Sequence, residues 1–165
     1  SRPISALDYL TAKAAAVAFW VSLAAVAPGI AAVVLVLALG YVGFVVALTA
    51  AVGFLATGLL AVASLTGLTV FLSSISSKST FAGAGIFGTL IGVEAIATVL
   101  SGVGQQASFL YLSPLEDMAA VARDLFGIEG NPLNPWYAAA ALLGLTVVTL
   151  GLTYLRLQRT EVVSE

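Results

Sequence analysis

One acidic residue, Glu94, stands inside a long apolar segment and is the residue of this chain most suited to chemistry. A charged side chain near the middle of a bilayer costs roughly 2.5–3.5 kcal/mol on insertion scales, so such residues usually have a partner or a task. Thr98 and Ser101 share one helix side with Glu94, and their hydroxyls can bond its carboxylate. The three residues predict a polar spot on a translocation path or at a dimer seam. The alternative is a protonated or snorkelling glutamate that is satisfied within a helix bundle.

The composition excludes several other kinds of site. The chain contains no cysteine and no histidine, which excludes disulfides, thiol nucleophiles, zinc sites and histidine general bases. Its net charge of −2 argues against a nucleic-acid partner, and the sequence contains no polybasic patch for anionic lipid. No catalytic, metal or cofactor site is predicted on this chain.

The surroundings of Glu94 are indicated by a run of 64 residues, from Ala14 to Ser77, that contains no Asp, Glu, Lys or Arg. Soluble domains need charged side chains on their surfaces, whereas a bilayer needs about 20 apolar residues for each spanning helix. Hydrophobic residues make up 61% of the chain and charged residues 8%, against about 45–50% and about 25% in soluble domains. The sequence therefore predicts an all-α, polytopic transmembrane helical bundle that forms one domain over residues 1–165.

Four membrane spans are predicted, at residues 14–39, 45–72, 81–101 and 135–155. Pro28-Gly29 lies in the middle of the first span and should kink it, because proline removes one backbone hydrogen bond. The run before residue 73 can also be divided into three shorter helices, with breaks at Pro28-Gly29 and near Thr49. That division gives five spans instead of four.

The positive-inside rule favours four spans over five. With five spans the basic residues divide equally between the two sides of the membrane. With four, the leader 1–13 and the tail 156–165 are both cytoplasmic, in a protein of the cell membrane. The basic residues on the cytoplasmic side are then Arg2, Lys13, Lys78, Arg156 and Arg159, and only Arg123 lies opposite.

The external region, residues 102–134, contains a short helix of its own at 114–126. Ser113 and Glu116 form the sequence pattern of a capping box, with Pro114 at the first helical position, and Gly127 ends the helix. The helix is too short to span a membrane, so we expect it to lie at the outer interface or to fold back against the bundle. One apolar stripe runs along it, made by Leu115, Met118, Ala119, Ala122, Leu125 and Phe126.

The third span carries a stripe of small residues on the side away from Glu94. Its members are Ala84, Gly88 and Gly92, spaced four apart. Small residues at this spacing let two membrane helices approach closely. The stripe therefore predicts a helix-packing surface.

Three stretches of the chain resemble the permease subunit of type-2 ATP-binding-cassette transporters, the group with six spans per subunit. The leader, with Ser1-Arg2-Pro3-Ile4-Ser5 followed by Asp8-Tyr9-Leu10 and Lys13, is similar to the family segment that joins the cytoplasmic coupling region to the third span. Leu112-Ser113-Pro114-Leu115 resembles the head of the family's short amphipathic helix between the last two spans. The ending Arg156-x-x-Arg159-x-Glu161-Val162-Val163 is similar to the family's tail.

The resemblance implies that this chain is the C-terminal four of six spans, with two more expected before Ser1. It implies one half of an ATP-driven transporter, an exporter, in which two permease subunits form the translocation path. Separate ATPase subunits would dock on the coupling segment through Arg2, Asp8, Tyr9 and Lys13. Since this chain contains no G-x-x-x-x-G-K-[ST] loop, ATP and Mg²⁺ would be bound, and ATP hydrolysed, by the partner subunit.

Two functions of other classes stay open at this point. The first is a secondary, proton-coupled transporter in which Glu94 is the titrating site. The second is a membrane assembly subunit that transports nothing. No residue pattern in the chain names a substrate.

Overall fold

The chain is an all-α protein, as predicted. A computed structural model describes residues 5–76 and 79–162, which contain helices and no strand. Arg2 and Lys78 lie outside these ranges. The α-helices are α1 (Ala6–Ala25), α2 (Ala27–Ala38), α3 (Phe44–Ile75), α4 (Ser79–Gly104), α5 (Pro114–Leu125) and α6 (Pro135–Val162), and a 3₁₀ helix covers Ala107–Leu112.

Four segments of the described chain are long and apolar enough to cross a membrane. They are Leu7–Ala38, Phe44–Ile75, Gly83–Gly104 and Pro135–Arg159, one over each predicted span. Large apolar side chains are exposed on all four, among them Trp20, Phe44, Phe87 and Val147. Because so much exposed apolar surface suits a lipid environment, the chain is a multi-pass membrane protein.

The first span is interrupted near its middle. Helix α1 begins at Ser5, whose Oγ accepts a hydrogen bond from the Asp8 N–H (3.2 Å) and donates one to Asp8 Oδ2 (2.7 Å). Regular helix stops at Val26, two residues before Pro28, and resumes as α2. Pro28 has no N–H to donate to the carbonyl four residues earlier, which accounts for an interruption at this place.

Helix α3 runs without a break through Thr49, where the five-span alternative needs one. The turn before α3 follows from Gly40, whose φ of 72° is the left-handed conformation that ends many helices. The N–H of Tyr41 then donates to the carbonyl of Val36 at 3.1 Å. The chain therefore forms two long helical segments, not three, before residue 76.

Helix α3 is the centre of the bundle, because it contacts each of the other five α-helices. It approaches α6 closely at Gly67. A Cβ at that position would lie 2.5 Å from Thr149 Oγ1 and 3.3 Å from the Thr146 Cα. A larger residue at Gly67 would displace the Thr149 hydroxyl from its bonds to the Leu145 and Thr146 carbonyls and would press on the Thr146 backbone, so the contact is strained by any added side chain.

The predicted packing stripe on α4 makes no such approach. A Cβ added at Gly88 or Gly92 would meet nothing within 4 Å in the part of the chain that is described, and Ala84 is exposed. Helix α4 meets α3 on a different face, where Gly85 lies near Leu72. Gly88 and Gly92 therefore make no close helix contact within the described chain, and packing through the stripe stays a prediction.

The two ends of the bundle hold different elements. At one end Lys13 of α1, Ser73 of α3 and Arg156 of α6 line one cavity, so the start of α1 lies beside the ends of α3 and α6. Toward the other end Phe126, which follows α5, packs against Phe54 of α3 with ring centroids 4.9 Å apart.

A pair of glycine substitutions tests the contact between α3 and α6. Gly67→Ala should lower the melting temperature in detergent by several degrees, since overpacking a tight contact costs about 1–3 kcal/mol. Gly144→Ala on α6 is the control, because a Cβ there would meet no described atom within 4 Å. It should leave the melting temperature unchanged or slightly higher, as alanine favours helix. Equal effects of the two substitutions, measured by circular dichroism, would contradict the close approach.

Candidate functional site

The chain after α4 folds back along that helix and brings Ser113 to Glu94. Gln105 turns the chain with a positive φ of 51°, and the 3₁₀ helix then packs against α4, with Phe109 against Gly104. The Ser113 hydroxyl consequently donates a hydrogen bond to Glu94 Oε2. Glu94 lies about 15 Å along the helix axis from the end of α4, so this contact is well inside the bundle.

Ser113 joins several groups at this point, and it is fully buried. It is the N-cap of α5: its Oγ accepts from the Glu116 N–H at 3.3 Å, and its carbonyl accepts from the Asp117 N–H at 3.0 Å. The predicted capping box is only half formed. The Glu116 carboxylate faces Arg123 Nη1 at 3.5 Å, and the Ser113 N–H donates to the Leu110 carbonyl at 2.9 Å.

Thr98 and Ser101, which were predicted to share the Glu94 site, do not bond its carboxylate. The Ser101 hydroxyl donates to the Thr98 carbonyl at 2.9 Å within α4, and Thr98 is exposed. A backbone carbonyl of the same helix is always within reach of a serine side chain, whereas Ser101 lies two turns from Glu94. The hydroxyl partner of Glu94 comes instead from the start of α5.

Helix α5 folds back against the bundle, one of its two predicted placements, with the side that carries Asp117 inward. It packs against α3, α4 and α6, and its buried residues are Asp117, Ala120 and Val121. Most of the predicted apolar stripe lies on the opposite side of the helix, where Leu115 and Leu125 are 40% and 39% exposed, while its last member, Phe126, packs against Phe54 of α3. This arrangement, with the acid inside and the leucines outside, is the one that apolar surroundings favour.

Asp117 is the buried ionisable group of this site. It is 2% exposed, and its Oδ1 has no hydrogen-bond partner among the described residues. Burial, followed by the neighbouring charge of Glu116, raises the pKa of Asp117 from its ordinary value of 3.8 to about 7. Asp117 can therefore take up or release a proton near neutral pH.

The chain between α5 and α6 is fixed by side chains that bond the backbone. Gly127 ends α5, as predicted, with a φ of 66°. The Asn131 side-chain amide then donates to the Ala120 carbonyl at 2.7 Å, and the Tyr111 hydroxyl accepts from the Asn134 N–H at 2.8 Å. These contacts hold α5 on the start of α6.

The leader residues lie at the other end of the bundle. Arg2 falls outside the described residues, and Asp8 is exposed and bonded to Ser5. The Lys13 ammonium lies over the Tyr9 ring, 5.5 Å from its centroid, as a cation–π pair. Tyr9 and Lys13 both line the cavity that Arg156 shares, so they face the neighbouring helices as well as the surface.

Comparison with models of known protein families, with curated proteins and with solved structures gives no match. The site is therefore interpreted from its own geometry. Of its two acidic residues, Glu94 accepts a hydrogen bond from the Ser113 hydroxyl through its carboxylate. Asp117 bonds Ser113 only through its backbone N–H, and its Oδ1 has no partner among the described residues. This arrangement can tie a span to the short helix, and Asp117 can exchange a proton there.

Two residues of this site were not predicted from the sequence. Ser113 was identified as a helix cap but not as the partner of Glu94, and Asp117 was not singled out. A usable signal was present, because Asp117 lies one turn after Ser113 and shares its helix side. In apolar surroundings the side of α5 with Ser113 and Asp117, and not the side with the leucines, is expected to face the bundle.

A double-mutant cycle tests the contact between Glu94 and Ser113. Glu94→Ala and Ser113→Ala should each lower the free energy of unfolding in detergent, and together they should lower it by less than the sum. The expected coupling is about 0.5–3 kcal/mol. The control cycle pairs Glu94→Ala with Ser101→Ala and should be additive, because Ser101 bonds its own helix. An additive result in the first cycle would exclude the contact.

Asp117 should make stability depend on pH. Between about pH 4 and about pH 7 the unfolded chain ionises while the buried carboxyl keeps its proton, so the free energy of unfolding falls as pH rises. Outside that window both states carry the same number of protons on this group. The melting temperature of wild type should therefore fall across the window more steeply than that of Asp117→Asn.

The control for this pH series is Asp124→Asn, which removes an exposed acid from the same helix and should keep the wild-type slope. If wild type and Asp117→Asn gave equal slopes, Asp117 would not be the group responsible.

Proposed function

We propose that this chain is the membrane-spanning permease subunit of a type-2 ATP-binding-cassette transporter, an exporter, located in the cell membrane with both ends in the cytoplasm. It forms the translocation path with a second permease subunit and takes its energy from a separate ATPase subunit. The observation that carries the proposal is the position of the leader. Its exposed first turn continues directly into the first span, at the end of the bundle where α3 and α6 also end.

The continuity of the leader with the span supports a coupling role. Helix α1 is regular from Ala6 to Ala25, so a displacement of its first turn moves the helix as a unit. Asp8 and Tyr9 are exposed there and are the leader residues open to a docking subunit. Lys13 lines the cavity shared with α3 and α6. Because α1 also contacts both of those helices, the same displacement reaches two further spans.

The open face of α4 supports a second permease subunit. A Cβ added at Gly88 or Gly92 would meet no described atom within 4 Å, and the large side chains of Phe87 and Ile91 are exposed on the same helix. Small residues let two helices approach, and large apolar ones add contact area. The Glu94 carboxylate accepts a hydrogen bond from Ser113. Its proposed role is therefore to tie α4 to α5 beside the path.

ATP and Mg²⁺ belong to the ATPase subunit in this proposal. The chain contains no phosphate-binding loop, and the ATPase supplies one. The permease contributes the path and the moving helices, and closure of the ATPase pair moves α1. Hydrolysis therefore takes place in the partner.

A single introduced cysteine can report on one position, because the chain contains no cysteine of its own. Asp8→Cys should crosslink to the ATPase subunit encoded by a neighbouring gene, since Asp8 is exposed on the first turn of α1. Asp124→Cys is the matched control: it is an exposed acid on α5, away from the leader, and should give no crosslink. The measurement is a gel shift of the ATPase after treatment of the hydrolysing complex with a thiol-to-amine reagent.

Two outcomes would contradict the proposal. One is that Asp8→Cys crosslinks to the ATPase subunit no more than Asp124→Cys does in an active complex. The other is transport that follows a pH gradient in vesicles without ATP and is abolished by Glu94→Gln, the behaviour of a proton-coupled carrier.

A further inference from the structure

A cavity of about 210 Å³ opens at the end of the bundle where α1 begins and α3 and α6 end. Two cationic side chains line it, Lys13 from α1 and Arg156 from α6. Tyr9 and Ser73 add hydroxyl groups to its wall, and Val70 and Leu157 make an apolar part. The cavity thus has a positively charged side and an apolar side.

The positive charge is not balanced within the described chain. Among the side chains that the structure describes, which do not include that of Glu161, no acidic one lines the cavity and no carboxylate lies within ion-pair distance of Lys13 or Arg156. The ring of Tyr9 orients the Lys13 ammonium group but carries no net charge. Asp8, the acid nearest to Lys13 in sequence, is bonded to Ser5. Because two cations in one small cavity repel each other, an anion between them lowers the energy.

We propose that this cavity binds the phosphate group of an anionic membrane lipid, held by Lys13 and Arg156 with the Tyr9 hydroxyl as a further donor. Basic cavities between spans suit such headgroups, because the charge is met at the depth where phosphates lie. The turns of α6 next to the cavity are apolar and exposed at Leu152 and Leu155. They offer a surface for the acyl chain.

The size and place of the cavity favour a headgroup over a larger soluble ligand. Drug-sized ligands occupy pockets of about 300–1,000 Å³, so this cavity admits a smaller group. The three helices that line it belong to three of the four candidate spans. A free phosphate ion has the same chemistry but gains nothing from the apolar side.

Composition alone argued against such a site, since the sequence contains no polybasic patch. Lys13 and Arg156 come from opposite ends of the chain, and only the packing of α1 beside α6 brings them to one cavity. A charge pattern read along the sequence cannot show this pairing.

The test uses the full chain in the complex in which it is expressed, purified in detergent and freed of native lipid. Dihexanoyl phosphatidylglycerol should raise the melting temperature saturably, and dihexanoyl phosphatidylcholine should not. Binding of the phosphatidylglycerol should weaken about fivefold in Lys13→Gln and again in Arg156→Gln, the usual effect of one basic residue near anionic lipid. Arg159→Gln is the control, since Arg159 is an exposed cation on the same helix outside the cavity, and it should bind as wild type does.

Three results would overturn the proposal. They are wild-type affinity in the Lys13→Gln, Arg156→Gln double variant, an equal loss in Arg159→Gln, and the same stabilisation by inorganic phosphate at equal concentration. The last result would make free phosphate the ligand. The melting temperature without lipid shows whether each variant is folded. If the double variant does not fold, the lipid affinities of the two single variants decide the result. The test is independent of the ATPase, so it can fail while the proposed function stands.

Discussion

The apolar surroundings of the helices are the constraint on which the rest of this structure depends. A polar group that faces lipid has no water to bond, so it must find its partner within the bundle. Ser64 and Thr153 are accordingly buried, and each hydroxyl donates to a carbonyl of its own helix. Trp20 and Val103 are exposed. The exterior of the spans is thus apolar, unlike the surface of a soluble domain, while the interior holds small polar residues beside apolar ones such as Val70 and Leu142.

At Ser113, between the 3₁₀ helix and α5, polar groups likewise find their partners within the bundle. Helix α5 is too short to span, and the free N–H groups at its start need acceptors inside the bundle. Glu94 needs a donor at the same depth. Ser113 serves both, since its oxygen caps α5 and its hydroxyl proton bonds Glu94. The positive end of the α5 dipole also faces this carboxylate, which stabilises the pair further.

The sequence predicted the parts of the fold that depend on one helix at a time. The four long apolar segments, the cap at Ser5 and the end of α5 at Gly127 follow from local composition and backbone conformation, and the structure has them. The partner of Glu94 and the burial of Asp117 depend on how two helices approach. A helix wheel orders residues around one axis and contains no information about the neighbouring axis. The apolar stripe of α5 was identified correctly, but only the surroundings decide that most of it faces outward.

The contact between α3 and α6 connects the two ends of the molecule. At Gly67 an added methyl group would meet the Thr149 hydroxyl and press on the Thr146 backbone, and a close-packed contact of this kind slides with difficulty. Helices α3 and α6 therefore move together. Their ends line the Lys13 and Arg156 cavity, while other parts of the same two helices pack against α5. In the proposed permease, a displacement of α1 is thus carried to α5, because the pair between them transmits it as one body.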